Sequence, residues 1–288
     1  MDQGTVTIDD GEFAYLAVGD RGPLALCLHG FPDTAHTWRH LLPALAERGY
    51  RAVAPFMRGY APTAVAADGV YQTGALASDA NRLHEVLGGD GDAVIIGHDW
   101  GAMATHGAAG AEPERWRRVV TMAVPPGTVM AGAFLNDIDQ VKRSWYMFLL
   151  LHPLADLIVP ANDFAFIERL WADWSPGYDA AVDVTHLRDC LATPENLHAA
   201  IGYYRATLGD GPRSDRFAAE QDATMQVPAQ PTLYLHGRDD GCVGSYLVAD
   251  ADAFYPEHVV TRVIDSAGHF LHLEQPDIVN KLVTEFCT

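Results

Sequence analysis

The stretch Ala93-Val94-Ile95-Ile96-Gly97-His98-Asp99-Trp100-Gly101-Ala102-Met103-Ala104 decides the fold. Four apolar residues, a turn flanked by glycines and a run of small residues are the pattern of a strand that reverses sharply into a helix, with a nucleophile at the bend. The backbone at such an elbow is strained and the helix passes close to the strand, so glycine is required two positions on either side of the exposed residue. Gly97 and Gly101 meet that requirement around Asp99. A serine at the apex would form an acyl ester. An aspartate attacks instead at an sp3 carbon and forms an alkyl ester. That choice points away from ester substrates and towards those with a strained or good leaving group, such as epoxides and alkyl halides.

Outward from the elbow, short apolar or alternating runs recur at Phe13 to Val18, Leu24 to Leu28, Arg51 to Ala54, Val119 to Ala123, Thr232 to Leu235 and Val259 to Ile264. Helical stretches lie between several of them, as at His36 to Arg48 and Gly74 to Leu87. This alternation predicts an α/β fold, a mostly parallel sheet with helices on both faces. Ligands then bind beyond the carboxyl ends of the strands. The interval from Gly127 to Val227 breaks the alternation and reads as helices, entered at Pro125, Pro126 and Gly127 and left at Pro228 and Pro231. The expected organisation is a core in two parts, 1–127 and 228–288, with an inserted helical cap over 128–227.

A carboxylate nucleophile leaves an ester that water must hydrolyse, so the site needs a base and a group that orients the base. Two downstream loops carry such residues. Gly237-Arg238-Asp239-Asp240 follows the run Thr232 to Leu235, and Ala267-Gly268-His269 follows Val259 to Ile264. Chemistry alone does not choose between Asp239 and Asp240, one being the acid and the other a solvated turn residue. His269 is preferred over His272, which falls where the loop turns into the last helix. His29-Gly30-Phe31-Pro32, read alone, is a Gly-Pro turn. Beside an elbow it becomes the loop that supplies one of two backbone N–H groups for an oxyanion, from Phe31, the other coming from Trp100. His29 and His98 then serve as structural hydrogen-bond partners.

A formal charge of -19 over 288 residues excludes nucleic acid and anionic membranes as partners, since both demand clustered Lys and Arg. The acidity serves solubility. No apolar stretch approaches the roughly 18 residues of a membrane span. Asp2, Asp9, Asp10 and Glu12 stand where a secretory signal would have a basic start and an apolar core, so a cytoplasmic location is expected. Cys27, Cys190, Cys242 and Cys287 are scattered and form no CxxC pair, which argues against a zinc site or a disulfide framework. No metal or organic cofactor is expected.

Taken together, HGFP (29–32), GHDWG (97–101), GRDD (237–240) and AGHFLHLEQP (267–276) resemble the alpha/beta-hydrolase superfamily, in the branch that holds epoxide hydrolases and haloalkane dehalogenases. The similarity spans essentially the whole chain. In that family the acid stands three residues after the turn glycine, which implies Asp240, and a helical cap lies between the sixth strand and the acid-bearing strand. Opening an epoxide leaves an alkoxide that needs a proton, whereas halide needs none. Epoxide hydrolases supply it from two cap tyrosines, and SWYMF and NLHAAIGYYRA are similar to the places where that family carries them. The resemblance therefore implies Tyr146 and Tyr204. Tyr203 is the rival, but neighbouring helical residues point about 100° apart, so only one of the pair faces the substrate.

What the resemblance implies is a hydrolase that opens a small hydrophobic epoxide to a vicinal diol with water, through a covalent aspartyl ester. Asp99, Asp240, His269, Tyr146 and Tyr204 would be its catalytic residues, with the N–H groups of Phe31 and Trp100 as the oxyanion hole. Aromatic and apolar residues in the cap, including Trp145, Phe148, Phe164, Phe166, Trp171 and Trp174, suggest a hydrophobic substrate, though many of them must simply be core. Two other readings stand beside it. One is a haloalkane dehalogenase, disfavoured because Phe31 has no side-chain donor where that pattern often has asparagine; the other is a non-catalytic binder of an apolar small molecule. The identity of the epoxide, its regiochemistry and enantioselectivity, and the oligomeric state, a homodimer included, are left open by the sequence.

Overall fold

The apolar runs pair into one eight-stranded sheet in the computed structural model, which describes residues 1–9, 11–249 and 255–288. In chain order the strands are β1 (Asp2–Ile8), β2 (Gly11–Val18), β3 (Leu24–Leu28), β4 (Arg51–Pro55), β5 (Val94–His98), β6 (Arg118–Met122), β7 (Thr232–Gly237) and β8 (Val259–Ile264). They lie in the order β1-β2-β4-β3-β5-β6-β7-β8, with β1–β2 and β2–β4 antiparallel and every other pair parallel. β3, β5 and β7 are buried at every position. Helices cover both faces of a parallel sheet, so its inner strands read as unbroken apolar runs rather than as alternation.

Two elements depart from the sequence reading. β1 was not anticipated: it is mostly exposed, and it holds its place by antiparallel register with β2, Val6 opposite Phe13, which asks for no apolar run. The stretch His36 to Arg48 is not one helix but a 3-10 turn, Ala35–Arg39, followed by a short α-helix, Leu41–Glu47. Pro43 accounts for the break. It has no N–H to give a turn running in from residue 39, yet is tolerated in the first turn of a helix that restarts at Leu41.

From β3 the chain crosses to β4 on one side and then to β5 on the other. The winding direction therefore reverses between β3 and β5, and the crevice beyond their carboxyl ends is where an open sheet binds ligands. Leu28 of β3 pairs with Gly97 of β5, so the loops bearing Phe31 and Asp99 emerge side by side. β7 and β8 end in register at Gly237 and Ile264 on the same edge and release the loops of Asp240 and His269.

The interval between β6 and β7 is helical: Gly127–Asn136, Ile138–Arg143, Trp145–Leu151, Ala155–Ile158, Ala161–Trp174, Ala181–Cys190, Pro194–Leu208 and Ala218–Ala223. The last of these packs on the helices Thr73–Val86 and Trp100–Ala111. Among the described residues no helix is long and apolar enough to cross a membrane.

The elbow needs its glycines. A Cβ on Gly97 would collide with the Gly101 carbonyl, and one on Gly101 would collide with the Leu28 carbonyl, both of them backbone that cannot step aside. By contrast, a Cβ on Gly132 meets nothing within 4 Å, and that residue lies inside the helix Gly127–Asn136. Gly101→Ala is accordingly expected to destabilise the protein by about 1–3 kcal/mol or more. Gly132→Ala is expected to be neutral or stabilising by up to about 1 kcal/mol. Urea unfolding of the two variants checks both; equal midpoints would remove the close approach as the reason for the glycine.

Candidate active site

β5 ends at His98, and Asp99 takes φ 54° and ψ -121° before the helix Trp100–Ala111 begins. Such a backbone is costly for a non-glycine residue and persists only where its surroundings impose it. Here it turns the carboxylate towards the loop after β3. Asp99 Oδ1 accepts a hydrogen bond from the Phe31 N–H at 2.7 Å. Trp100 opens the helix, so its N–H has no acceptor within it.

His269 Nε2 lies 3.6 Å from Asp99 Oδ2, just beyond hydrogen-bond distance. On its other side, His269 Nδ1 lies 3.0 Å from Asp240 Oδ2. The second oxygen of Asp240 accepts from the N–H groups of Cys242 at 2.7 Å and Val243 at 2.9 Å. Asp239 is exposed, and of the two neighbouring acids Asp240 is the one that stands beside the imidazole. His272 sits in the short helix Leu271–Glu274, where its Nε2 pairs with Thr37 Oγ1. The His269 backbone is held at both ends: its N–H donates to the Trp174 carbonyl at 3.0 Å, and its carbonyl accepts from His98 Nε2 at 2.9 Å. His29 accepts from the Met57 N–H at 2.9 Å. Both of these histidines are thus hydrogen-bonding braces, and burial lowers their pKa, His98 to about 3 and His29 to about 4, which keeps them neutral.

The charges are arranged around the imidazole. Burial alone would raise Asp240, but His269, with His236 beside it and the Val243 N–H, holds the carboxyl below its usual value. Burial opposes charge on His269 as well, yet Asp240 and Asp99 outweigh it and raise the imidazole to about 10.

Above this row stand the tyrosines. Tyr146, in the helix Trp145–Leu151, is fully buried with its hydroxyl 3.3 Å from Cys242 Sγ. Tyr204, in Pro194–Leu208, is fully buried edge-on to Trp100, Phe31 and Tyr146, with ring centroids 4.9, 5.2 and 5.8 Å away. Its hydroxyl meets no partner with hydrogen-bond geometry among the described residues. Tyr203 turns away and donates to the Arg58 carbonyl at 2.7 Å. Burial pushes the hydroxyls of Tyr146 and Tyr204 well above the ordinary tyrosine value, so both keep their protons.

A cavity of about 260 Å³ opens on Asp99, Trp100 and Tyr146. Among the described residues Asp99 is its only charged wall, and Met103, Met130, Met147 and Met225 supply much of the rest. The six aromatics of the helical interval stand away from it, some of them as core. None of the six lines the cavity: Trp145 and Phe148 are exposed, 48% and 53%, while Trp171 and Trp174 pack on Phe270 and His269. The helix that turns Tyr146 inward turns its neighbour Trp145 outward. The methionines escaped notice because an isolated Met reads as ordinary core, although Met103, one helical turn after Asp99, and Met147, next to Tyr146, carried a positional signal.

Residues 23–276 match the family described as alpha/beta hydrolase fold. The chain belongs to that family. This alpha/beta hydrolase is 29% identical over 280 residues to epoxide hydrolase 4 of Homo sapiens, covering 95% of this chain and 75% of the relative. It is also 29% identical over 307 residues to an epoxide hydrolase of Caballeronia sordidicola, covering 92% of this chain and 87% of the relative. Among solved structures it resembles a candidate epoxide hydrolase from Klebsiella pneumoniae with a TM-score of 0.85 at 24% identity, over 99% of this chain and 97% of that one, a likeness of fold.

Among the described residues, two buried groups of the hydrolase bring three ligand-type atoms within 4.8 Å of one another: Asp33, His98 and His272, and Asp240, Cys242 and His269. In the second group the Asp240 and His269 atoms already bond to each other. The four cysteines are free and buried.

Because folding raises the His269 pKa, its charge contributes stability that is complete below the unfolded value near 6.5 and is lost as pH rises through about 10. The melting-temperature gap between wild type and His269→Gln should be widest near pH 6 and narrow towards pH 10. A gap independent of pH would show that His269 is not charged in the folded protein.

Proposed function

We propose that this chain hydrolyses a small hydrophobic epoxide to a vicinal diol in two steps, through an ester on Asp99. One observation carries the reading: Asp99, with one carboxylate oxygen bonded to the Phe31 N–H and the other 3.6 Å from the His269 imidazole, lines the same cavity as the buried Tyr146, beside which Tyr204 is packed. The epoxide-hydrolase names of the relatives support the reaction class. In this reading the helices of 128–227 form the lid that brings the proton donors, and the sheet brings the nucleophile, base and acid.

In the first step Tyr146 and Tyr204 hydrogen-bond the epoxide oxygen while Asp99 Oδ2 attacks a ring carbon from the far side. The C–O bond breaks, and the alkoxide takes a tyrosine proton. Ester formation removes the charge of Asp99, one of the two carboxylates that raise His269. The imidazolium then gives up its proton, restoring the tyrosine, and becomes a base. In the second step neutral His269, oriented by Asp240, takes a proton from water. The resulting hydroxide adds to the ester carbon of Asp99, and the oxyanion forms on Oδ1, facing the N–H groups of Phe31 and Trp100. Collapse breaks the bond between the ester carbon and Oδ2, and the departing alkoxide takes the proton of the newly formed carboxylic acid, which releases the diol and leaves Asp99 as a carboxylate beside the imidazolium formed when His269 took the water proton. Water and epoxide are the only reactants consumed.

A second reading has an observation of its own. The buried Trp100 Nε1–H, beside the cavity, has no hydrogen-bond partner among the described residues and could hold a departing halide. Dehalogenation gives the tyrosines no proton to deliver, which is why the epoxide reading is preferred.

Styrene oxide and a bromoalkane offered in parallel separate the two: diol without bromide is expected, bromide without diol would reverse the choice, and neither product would favour a binder. Asp99→Ala should abolish turnover in a folded protein. His269→Gln should pass the first step and stall at the ester, seen as the substrate's mass added to the peptide holding Asp99. Replacing Tyr146 and Tyr204 together with Phe should slow ring opening by about 10²–10⁴-fold and leave ester hydrolysis intact. Unchanged ring opening would remove the tyrosines from the mechanism.

A further inference from the structure

The helix Ile138–Arg143 meets the acid loop after β7 through Arg143 and through Gln140, whose amide has no exposed surface. Its Nε2 donates to Ser144 Oγ at 3.0 Å and to the Cys242 carbonyl at 2.9 Å, and its Oε1 accepts from the Gly244 N–H at 3.0 Å. A carbonyl can only accept and a backbone N–H can only donate, so the amide has one permitted orientation. The two bonds given by Nε2 lead to different parts of the site. Ser144 immediately precedes the helix that bears Tyr146. Cys242 sends its N–H to Asp240 Oδ1 at 2.7 Å, while its Sγ stands 3.3 Å from the Tyr146 hydroxyl. Arg143, one turn further along the same helix, donates to the Asp240 carbonyl at 3.0 Å.

We propose that Gln140 and Cys242 are positioning residues that lock the proton donor Tyr146 and the Asp240–His269 pair into one mutual register. This rests on the two-step reading above. The donor and the base sit on segments far apart in the chain, and a displacement of about 1 Å between such groups costs on the order of 10²-fold in rate. A buried amide with every hydrogen bond satisfied resists that displacement, because sliding the helix would strand polar atoms away from water. Cys242 is the point where the two halves touch: its backbone serves the acid, its thiol serves the tyrosine and its carbonyl is held by Gln140. Burial keeps the thiol protonated, so it acts as a hydrogen-bond partner and not as a nucleophile.

Gln140→Glu has the same shape but sets an oxygen against the Cys242 carbonyl. With rapid mixing of styrene oxide, ring opening and ester hydrolysis are read as separate phases. Gln140→Glu should slow both by about tenfold or more and shift the pH profile of the hydrolysis phase, which reports His269. Cys242→Ala should slow ring opening alone, Cys242→Ser should restore it, and in a Tyr146→Phe background Cys242→Ala should have no further effect. A folded Gln140→Glu protein with both phases and the pH profile unchanged overturns the proposal, as does a Cys242→Ala effect of equal size with or without the Tyr146 hydroxyl. Should Gln140→Glu fail to fold, the Cys242 and Tyr146 cycle decides alone. A wild-type enzyme that turns over without any ester would overturn the two-step reading itself and the coupling with it.

Discussion

Backbone crowding at the end of β5 is the constraint on which the site depends. Gly97 lies against the Gly101 carbonyl, Gly101 against the carbonyls of Leu28 and His29, and Gly30 against the Asp99 carboxylate, each too close for a Cβ. Those approaches bring the loop after β3, the strand and the following helix within one hydrogen bond of each other, which is how the Phe31 N–H comes to lie 2.7 Å from Asp99 Oδ1. The unfavourable φ of Asp99 is sustained because β5 is clamped on both sides, by β3 and by β6, in unbroken parallel register. Local strain at the reactive residue is thus offset by the stiffest part of the molecule.

The electrostatics follow from the same crowding. Two carboxylates and an imidazole are drawn into a buried row in a chain that already carries a charge of -19. Alone, each would pay heavily for burial. In sequence they compensate: the backbone N–H groups of Cys242 and Val243 share the charge of Asp240, the imidazole sits between the two acids, and Asp99 is held by the Phe31 N–H. Removing the charge at one end of such a row lowers the proton affinity in its middle, which is the change that the proposed ester on Asp99 would work on His269.

Much of this was legible in the sequence, for identifiable reasons. An elbow imposes glycines at fixed offsets, so GHDWG could be read without knowing its neighbours, and the loops of Phe31, Asp240 and His269 follow apolar runs that mark strand ends. Asp239 and Asp240 could not be separated by chemistry, because the difference is which side of a tight turn faces inward, a matter settled by the bonds from Cys242 and Val243. β1 escaped because an exposed edge strand needs no apolar pattern. The Met-lined cavity and Gln140 escaped because a side chain's meaning there comes from helices that meet across long stretches of chain, and no local spacing encodes such a meeting.

Two aromatic residues of the helical interval brace the loops of the site. Trp171 stacks on Phe270 with centroids 3.4 Å apart, and its indole N–H donates to the Pro32 carbonyl at 2.9 Å. Three residues on, where the helix Ala161–Trp174 ends, the Trp174 carbonyl accepts from both Gly241 at 3.1 Å and His269 at 3.0 Å, the backbones of the acid loop and of the histidine loop. The last carbonyls of a helix lack partners within it and carry its negative pole. Offered to these two loops, one such carbonyl gains two donors and ties the loop of Asp240 to the loop of His269. This end of the helical interval is therefore tied to the loops of Asp240 and His269, while the methionines, whose unbranched side chains adapt most readily, line the cavity beside Asp99.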